Sequence, residues 1–230
     1  GATHLIVHAD LLRKVHDGVP DEVTVICVTT PSEVRSVFAV SAAQGRSPDN
    51  CLEWESWLEQ HARWREPKRA APGRMSYTSG TTGQPKGVKR EPPAPESRAA
   101  NTELSSQWFG FRPGMRTAMI GPMYHSVQAG YAMTAMRANA SITLLPRFDA
   151  RQVLELIASE RLTHLHLVPI MMNRLLKLPA SVRNSYDLSS LEFVVHGAAP
   201  CPPAIKHGMI EWWGPILHEY YGSTEVGMVS

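Results

Sequence analysis

The sequence predicts an α/β fold, and three observations carry that expectation. Of its 230 residues, 43% are hydrophobic and 19% charged, the composition of an ordinary globular protein rather than of the apolar-poor disordered class. Residues 23–28 form a nearly unbroken apolar, β-branched run, the pattern of a strand buried on both faces, as in a parallel sheet. After Pro113-Gly114 strand and helix patterns alternate regularly, which favours α/β over separate all-α or all-β parts. The length suffices for one large domain or two lobes with separate cores.

Taken in order, the strand at 23–28 is followed by Trp54, Trp57, Leu58 and His61 at helical spacing, which predicts an amphipathic helix whose tryptophans serve packing. Breaker-rich stretches at 44–50, 66–74 and 91–96 punctuate the first half. Strands are expected at 117–120 and 140–145. Asp149 is placed as an N-cap, with Gln152 completing a capping box, ahead of a helix whose apolar face is Val153, Leu154, Leu156 and Ile157. A strand at 164–168, a helix at 170–176, a strand at 191–195, a helix near 203–213 and a strand at 216–220 complete the series. Met171-Met172 and Trp212-Trp213 are expected in packing. His164 and His166, two apart on one strand face, have no third partner at metal-ligand spacing.

The run Ser76-Tyr77-Thr78-Ser79-Gly80-Thr81-Thr82-Gly83-Gln84-Pro85-Lys86-Gly87 packs hydroxyls, glycines and a lysine into one loop. Glycines bring backbone N–H groups close to an anion, hydroxyls add donors and Lys86 adds a mobile positive charge, a composition suited to polyphosphate. The spacing excludes a Walker A loop and hence a P-loop NTPase, because Lys86 is followed by Gly87 and then by prolines rather than by a helix. Two further motifs directly follow predicted strands, where ligands of α/β sheets bind: His196-Gly197-Ala198-Ala199-Pro200 and Tyr221-Gly222-Ser223-Thr224-Glu225. Tyr221 offers an aromatic face for a purine, Glu225 a carboxylate for Mg²⁺, and the Gly197-Ala198-Ala199 turn is small enough for a flat ring to approach the backbone. Together with the loop they form a set suited to ATP and Mg²⁺.

Net charge is +2, too close to neutral for a nucleic-acid or acidic-membrane footprint. Cys27, Cys51 and Cys201 show no CxxC pair or metal spacing, which points to a reducing compartment and against a disulfide framework. The first residues carry no basic and apolar leader pattern, and no apolar run reaches the ~20 residues of a membrane helix, so the expected location is cytoplasmic with no membrane span.

The chain resembles the adenylate-forming superfamily of acyl-CoA synthetases, adenylation domains and luciferases. The resemblance rests on residues 77–87, on Tyr221-Gly222-Ser223-Thr224-Glu225, on Pro122-Met123-Tyr124-His125-Ser126 and on Gly197-Ala198-Ala199-Pro200, and extends over essentially the whole sequence. Within the superfamily it is most similar to acyl-CoA synthetases. The resemblance implies two stacked αβ lobes of an N-terminal domain, residues 1–112 with the phosphate loop and 113–230 with the adenine and Mg²⁺ motifs, incomplete at both ends and without the C-terminal domain. It implies activation of a carboxylic acid by ATP as an acyl adenylate, release of pyrophosphate and transfer to CoA, an acid–thiol ligase activity of the parent, with the chain alone inactive or impaired and prone to self-association. Loading of a carrier protein, or nucleotide binding without catalysis, remain the alternatives. Thr78, Ser79, Gly80, Thr81, Thr82, Gly83 and Lys86 would hold the β- and γ-phosphates, Thr224 the α-phosphate, Glu225 the Mg²⁺, and Tyr221, Gly222 and the 197–199 turn the adenine. His125 would stand by the substrate carboxylate. The segment 124–135 and the 196–200 turn would line a pocket compatible with an apolar acid.

Overall fold

The computed structural model describes residues 2–63, 65, 74–78, 83–90, 94–225, 227 and 228. Contacts divide the chain into two compact units, residues 1–69 and 70–230. The boundary expected from the sequence, 112/113, falls just before the larger sheet, within the second unit.

The first unit is a three-stranded parallel sheet of β1 (His4–His8), β2 (Thr24–Val28) and β3 (Leu52–Glu53), with β2 in the middle. The apolar run predicted at 23–28 therefore occupies the central strand, and its Ile26 and Cys27 are fully buried. Helix α1 (Ala9–Val15) follows β1 without a loop and packs Ala9 and Leu12 against Cys27. Helices α2 (Ser32–Phe38) and α3 (Trp54–Glu59) complete the unit. The Glu53 side chain caps α3 by accepting from the Ser56 N–H at 3.0 Å. The helix expected around the tryptophans ends at Glu59, before His61. Trp54 stacks on Trp57 at 5.7 Å and Trp57 meets His61 at 4.4 Å, and neither indole is fully buried.

The second unit opens with an antiparallel hairpin of β4 (Arg74–Thr78) and β5 (Lys86–Arg90), then α4 (Pro95–Phe109). This long helix starts inside the stretch predicted as a breaker. Pro95 stands in its first turn, where the missing N–H would have had no helical partner. Five parallel strands follow: β6 (Arg116–Met119), β7 (Ser141–Leu144), β8 (His164–Leu167), β9 (Phe193–His196) and β10 (Leu217–Glu219), in the order β10-β9-β8-β6-β7. Each overlaps the strand expected from the sequence to within two residues at either end. Between them run α5 (Ser126–Arg137), α6 (Ala150–Glu160), α7 (Pro169–Leu176), α8 (Ala180–Arg183) and α9 (Pro203–Trp213), and a short ribbon of β11 (Gly222–Ser223) and β12 (Gly227–Met228) closes the described chain.

Strand alternation sorts the core into two faces. Ala118, Leu165, Leu167 and Val194 meet Val153, Leu154 and Ile157 of α6, Met171, Met172 and Leu175 of α7 and Met209 of α9. Met119 and Val195 point the other way, to Tyr131, Ala132 and Ala135 of α5, with Phe109 at the end of α4 packed against them. A fully buried aliphatic side chain contributes about 1.5–3 kcal/mol, so these two layers carry most of the unit's stability. Asp149 caps α6 as predicted, its Oδ1 accepting from the Gln152 N–H at 2.9 Å.

The strand order positions the site. From β6 the chain moves outward to β7, then returns across β6 to β8 and continues through β9 to β10. The connections on the two sides of the β6/β8 pair therefore run in opposite directions. Open parallel sheets bind ligands in the crevice at the carboxyl ends of the strands flanking such a reversal.

Candidate functional site

The segments following β6, β9 and β10 hold most of the residues singled out from the sequence. After β10 comes Tyr220, whose N–H donates to the His196 carbonyl at 3.0 Å, and Glu219 pairs with His196 in register. The turn 197–199 and the turn 221–225 therefore leave neighbouring strands side by side. The Gly197 position is fixed by a close approach. A Cβ there would stand 2.5 Å from the Tyr220 ring, so only glycine admits the tyrosine. Ala198 adopts a left-handed φ of 66°, a conformation that costs an L-residue about 1 kcal/mol and that clusters at ligand-binding turns. Tyr221 is 72% exposed, so its aromatic face is open to a flat ligand.

The segment after β6 reaches the same place from the other side. His125 is the N-cap of α5, with an extended backbone (φ −73°, ψ 130°) and no side-chain capping bond. The first N–H groups of α5 therefore lack a side-chain cap and carry the positive end of the helix dipole, a ready anion site. The Ser126 hydroxyl lies 3.4 Å from the Thr224 hydroxyl. That contact joins the segment 122–126 to the turn 221–225 and places Thr224 at the start of α5. The His125 ring is exposed and lies 4.6 Å from that of Tyr124.

Glu225 is fully exposed, and its carboxyl is held below the usual range by the Ser223 hydroxyl, by its own backbone N–H and by the positive charge of Lys86. In the hairpin Lys86 pairs with Thr78, so the phosphate-binding candidates of 79–85 form the connection between β4 and β5. Gly83 has a φ of +77° with open space about its Cα. Ser79, Gly80, Thr81 and Thr82 lie outside the described residues. Thr78, Gly83 and Lys86 of the loop, Gly222 within β11, and the remaining candidates all belong to the second unit.

Sequence reasoning missed a buried layer beneath these turns. His166 is fully buried on β8; its Nδ1 lies 2.8 Å from Gln128 Nε2 and its Nε2 lies 3.0 Å from the Tyr220 hydroxyl. Burial, with the nearby His196 ring, pushes its pKa down to about 4, so it is neutral at pH 7. His164 on the same face meets Thr163 Oγ1 and the Gly110 carbonyl, each at 2.8 Å. Both imidazoles are thus occupied by hydrogen bonds, and among the described residues no cluster of metal-ligating side chains is found. On the opposite face, His196 is buried with neither ring nitrogen bonded, beneath a Lys206–Glu219 ion pair, and burial lowers its pKa. Only the spacing of His164 and His166 was visible in the sequence; their partners come from distant elements.

This arrangement is that of the large domain of adenylate-forming enzymes. The chain belongs to the AMP-binding enzyme family, whose model matches residues 1–230. Among curated proteins it is 36% identical over 155 residues to the medium/long-chain-fatty-acid–CoA ligase FadD8 of Mycobacterium tuberculosis, covering 67% of this chain and 26% of that protein. It is 27% identical over 235 residues to 4-coumarate–CoA ligase 2 of Oryza sativa, covering 97% of this chain and 39% of that protein. The chain thus spans well under half the length of these relatives. Among solved structures, the amide bond synthetase McbA of Marinactinospora thermotolerans superposes with a TM-score of 0.74 at 22% identity, over 99% of this chain and 41% of that one. ATP-bound MatB of Rhodopseudomonas palustris gives 0.64 at 21% identity, over 99% and 51%. These likenesses establish the fold. Among the described residues no helix is long and apolar enough to cross a membrane.

Proposed function

We propose that the protein of which this chain is part activates a carboxylic acid with ATP, forming an acyl adenylate and pyrophosphate, and passes the acyl group to the thiol of CoA. The chemical need is a leaving group. A carboxylate offers only oxide to an attacking thiol, whereas an acyl adenylate offers AMP. The observation that carries the reading is the Ser126–Thr224 contact, which sets a hydroxyl of the 221–225 turn at the uncapped start of α5.

On this reading the substrate carboxylate lies at the first N–H groups of α5 beside His125, within reach of an α-phosphate held by Thr224. Catalysis is then mainly alignment of the two anions and relief of their repulsion. Tyr221 stacks on the adenine, with Gly222 and the Gly197-Ala198-Ala199 turn closing its edge. Thr78, Ser79, Gly80, Thr81, Thr82, Gly83 and Lys86 hold the β- and γ-phosphates, then pyrophosphate. Glu225 suits Mg²⁺, because its exposed carboxyl is kept ionised by Ser223 and Lys86. When bound, Mg²⁺ supplies neutralisation of phosphate charge. The segment 1–112 then contributes the phosphate loop and 113–230 the adenine and metal groups. An apolar acid fits the exposed Met123 and Tyr124 near the start of α5. The unpaired Cys27, Cys51 and Cys201 fit a reducing, cytoplasmic setting.

The test is calorimetric titration of the chain with non-hydrolysable acyl-adenylate analogues of differing acyl group. Binding of at least one, weakened about 100-fold by Thr224→Ala or Tyr221→Ala, is expected from loss of a phosphate contact or a stacking face. Binding that ignores both substitutions would overturn the assignment. Analogue binding without acid-dependent pyrophosphate exchange would favour a nucleotide-binding role without catalysis.

A further inference from the structure

One buried imidazole is bonded to a residue of each of the two segments the site depends on. His166 sits in the middle of the sheet, with Gln128 on one ring nitrogen and Tyr220 on the other. Gln128 lies in the first turn of α5, directly after Ser126 and Val127. Tyr220 is the residue before the 221–225 turn. Each partner is in turn wedged against a glycine of the site. The Gln128 amide lies where a Cβ at Gly121 would stand 2.8 Å away, and the Tyr220 ring covers Gly197. Phe109 and Tyr131 enclose the imidazole at 6.4 and 5.6 Å between ring centres. Gln128, His166 and Tyr220 are all at least nine-tenths buried, so water does not replace a lost bond.

Resting on the function proposed above, we propose that His166 is the positioning residue of the site. Through Gln128 and Tyr220 it fixes the start of α5 and the 221–225 turn relative to one another. A neutral imidazole suits this task, since it donates from one nitrogen and accepts at the other, bridging two elements with a rigid spacer. The Gln128 amide nitrogen and the Tyr220 hydroxyl each find a buried partner in this ring, while Gln128 Oε1 has none, so the imidazole sets the position of both groups and through them that of Ser126 and Thr224. It touches no reacting atom itself.

The test exploits the two ends of the ring. A glutamine amide at 166 reaches the place of Nε2 and keeps the Tyr220 bond; an asparagine amide reaches only the place of Nδ1 and keeps Gln128. A residue needed merely for packing would respond alike to His166→Gln and His166→Asn. Hydrogen exchange of the ligand-free chain is the first measurement. His166→Asn and Tyr220→Phe are expected to speed exchange of amides 220–225 about tenfold, and His166→Gln to leave it within about threefold, with the α6 amides on the far side of the sheet unchanged in all three. The second measurement is acyl-adenylate analogue affinity, expected to fall about tenfold in all three variants, since each cuts one of the two links that hold the start of α5 against the 221–225 turn. Equal effects of the two His166 substitutions on exchange, or no change at 220–225 in Tyr220→Phe, would overturn the proposal. Tyr220→Phe removes only a hydroxyl and keeps the test open should a His166 variant fail to fold. If the unaltered chain binds no analogue while the exchange pattern holds, the function proposal fails and the positioning role stands.

Discussion

The chain contains two parallel sheets built from the same elements, yet only the second carries a candidate site. In the first, β1, β2 and β3 are followed by α1, α2 and α3, and the carboxyl ends of β1 and β2 are tied together by the Thr30 hydroxyl donating to Asp10 at 2.6 Å. No motif residue stands there. In the second, the turns after β6, β9 and β10 gather His125, the 197–199 turn, Tyr221, Thr224 and Glu225. The core differs as well. Ala9, Leu12 and Cys27 form a small cluster in the first unit, while Ile6 and Phe38 remain 54% and 52% exposed. The second buries apolar side chains on both faces of its sheet. βα repetition supplies strand ends in quantity, and the candidate residues gather at those of the sheet whose strand order reverses and whose two faces are both covered.

The comparison can be broken first through stability. Leu154→Ala removes a fully buried side chain from the larger core and should cost about 4 kcal/mol, whereas Leu12→Ala, in a cluster of few partners, should cost about 2 kcal/mol. Denaturant titration followed by probes in each unit checks this, and equal losses would erase the contrast. Acid should act next. His166, His164 and His196 of the second sheet all have pKa values lowered by burial, that of His166 to about 4. The unfolded chain therefore binds more protons than the folded one below the ordinary histidine range, and stability is full above pH ~6.5 and falls as the pH drops toward ~4, by a few kcal/mol. Thermal melts across that window test it; a flat profile from pH 7 to pH 4 would show these imidazoles to be solvated. The smallest effect is expected at Ala198. Its positive φ makes Ala198→Gly a relief of strain partly offset by the freer unfolded chain, a net gain of roughly 0.5 kcal/mol.

Much of the second sheet was legible because its strands are short apolar runs and its helices begin with strong signals such as Asp149 or Pro203. Helix α5 escaped notice because Gln128, Gly130 and Thr134 interrupt its apolar spacing; Gln128 is buried by hydrogen bonding to His166 rather than by hydrophobicity. Helix α4 was hidden by Pro95 at its start and by the prolines that precede it in the sequence, because a proline marks a first turn as readily as a break. The short strands of the hairpin were absorbed into the phosphate loop they flank. Candidate residues with their own motif chemistry, such as Tyr221, Thr224 and Glu225, could be singled out from sequence. The contacts that Ser126, Gln128, His166 and Tyr220 make with distant partners could not, since no local pattern encodes a contact made across 38 or 98 residues.

On the function proposed above, the strand ends of the second sheet, and not those of the first, bind an adenylate. Backbone amide chemical shifts recorded while AMP is added to the chain test it most directly. Shifts are expected to concentrate at 126–128, 197–199 and 221–225, with residues 8–10 and 29–31 unmoved. Shifts centred on the carboxyl ends of β1 and β2, or a spectrum unchanged at saturating nucleotide, would contradict it.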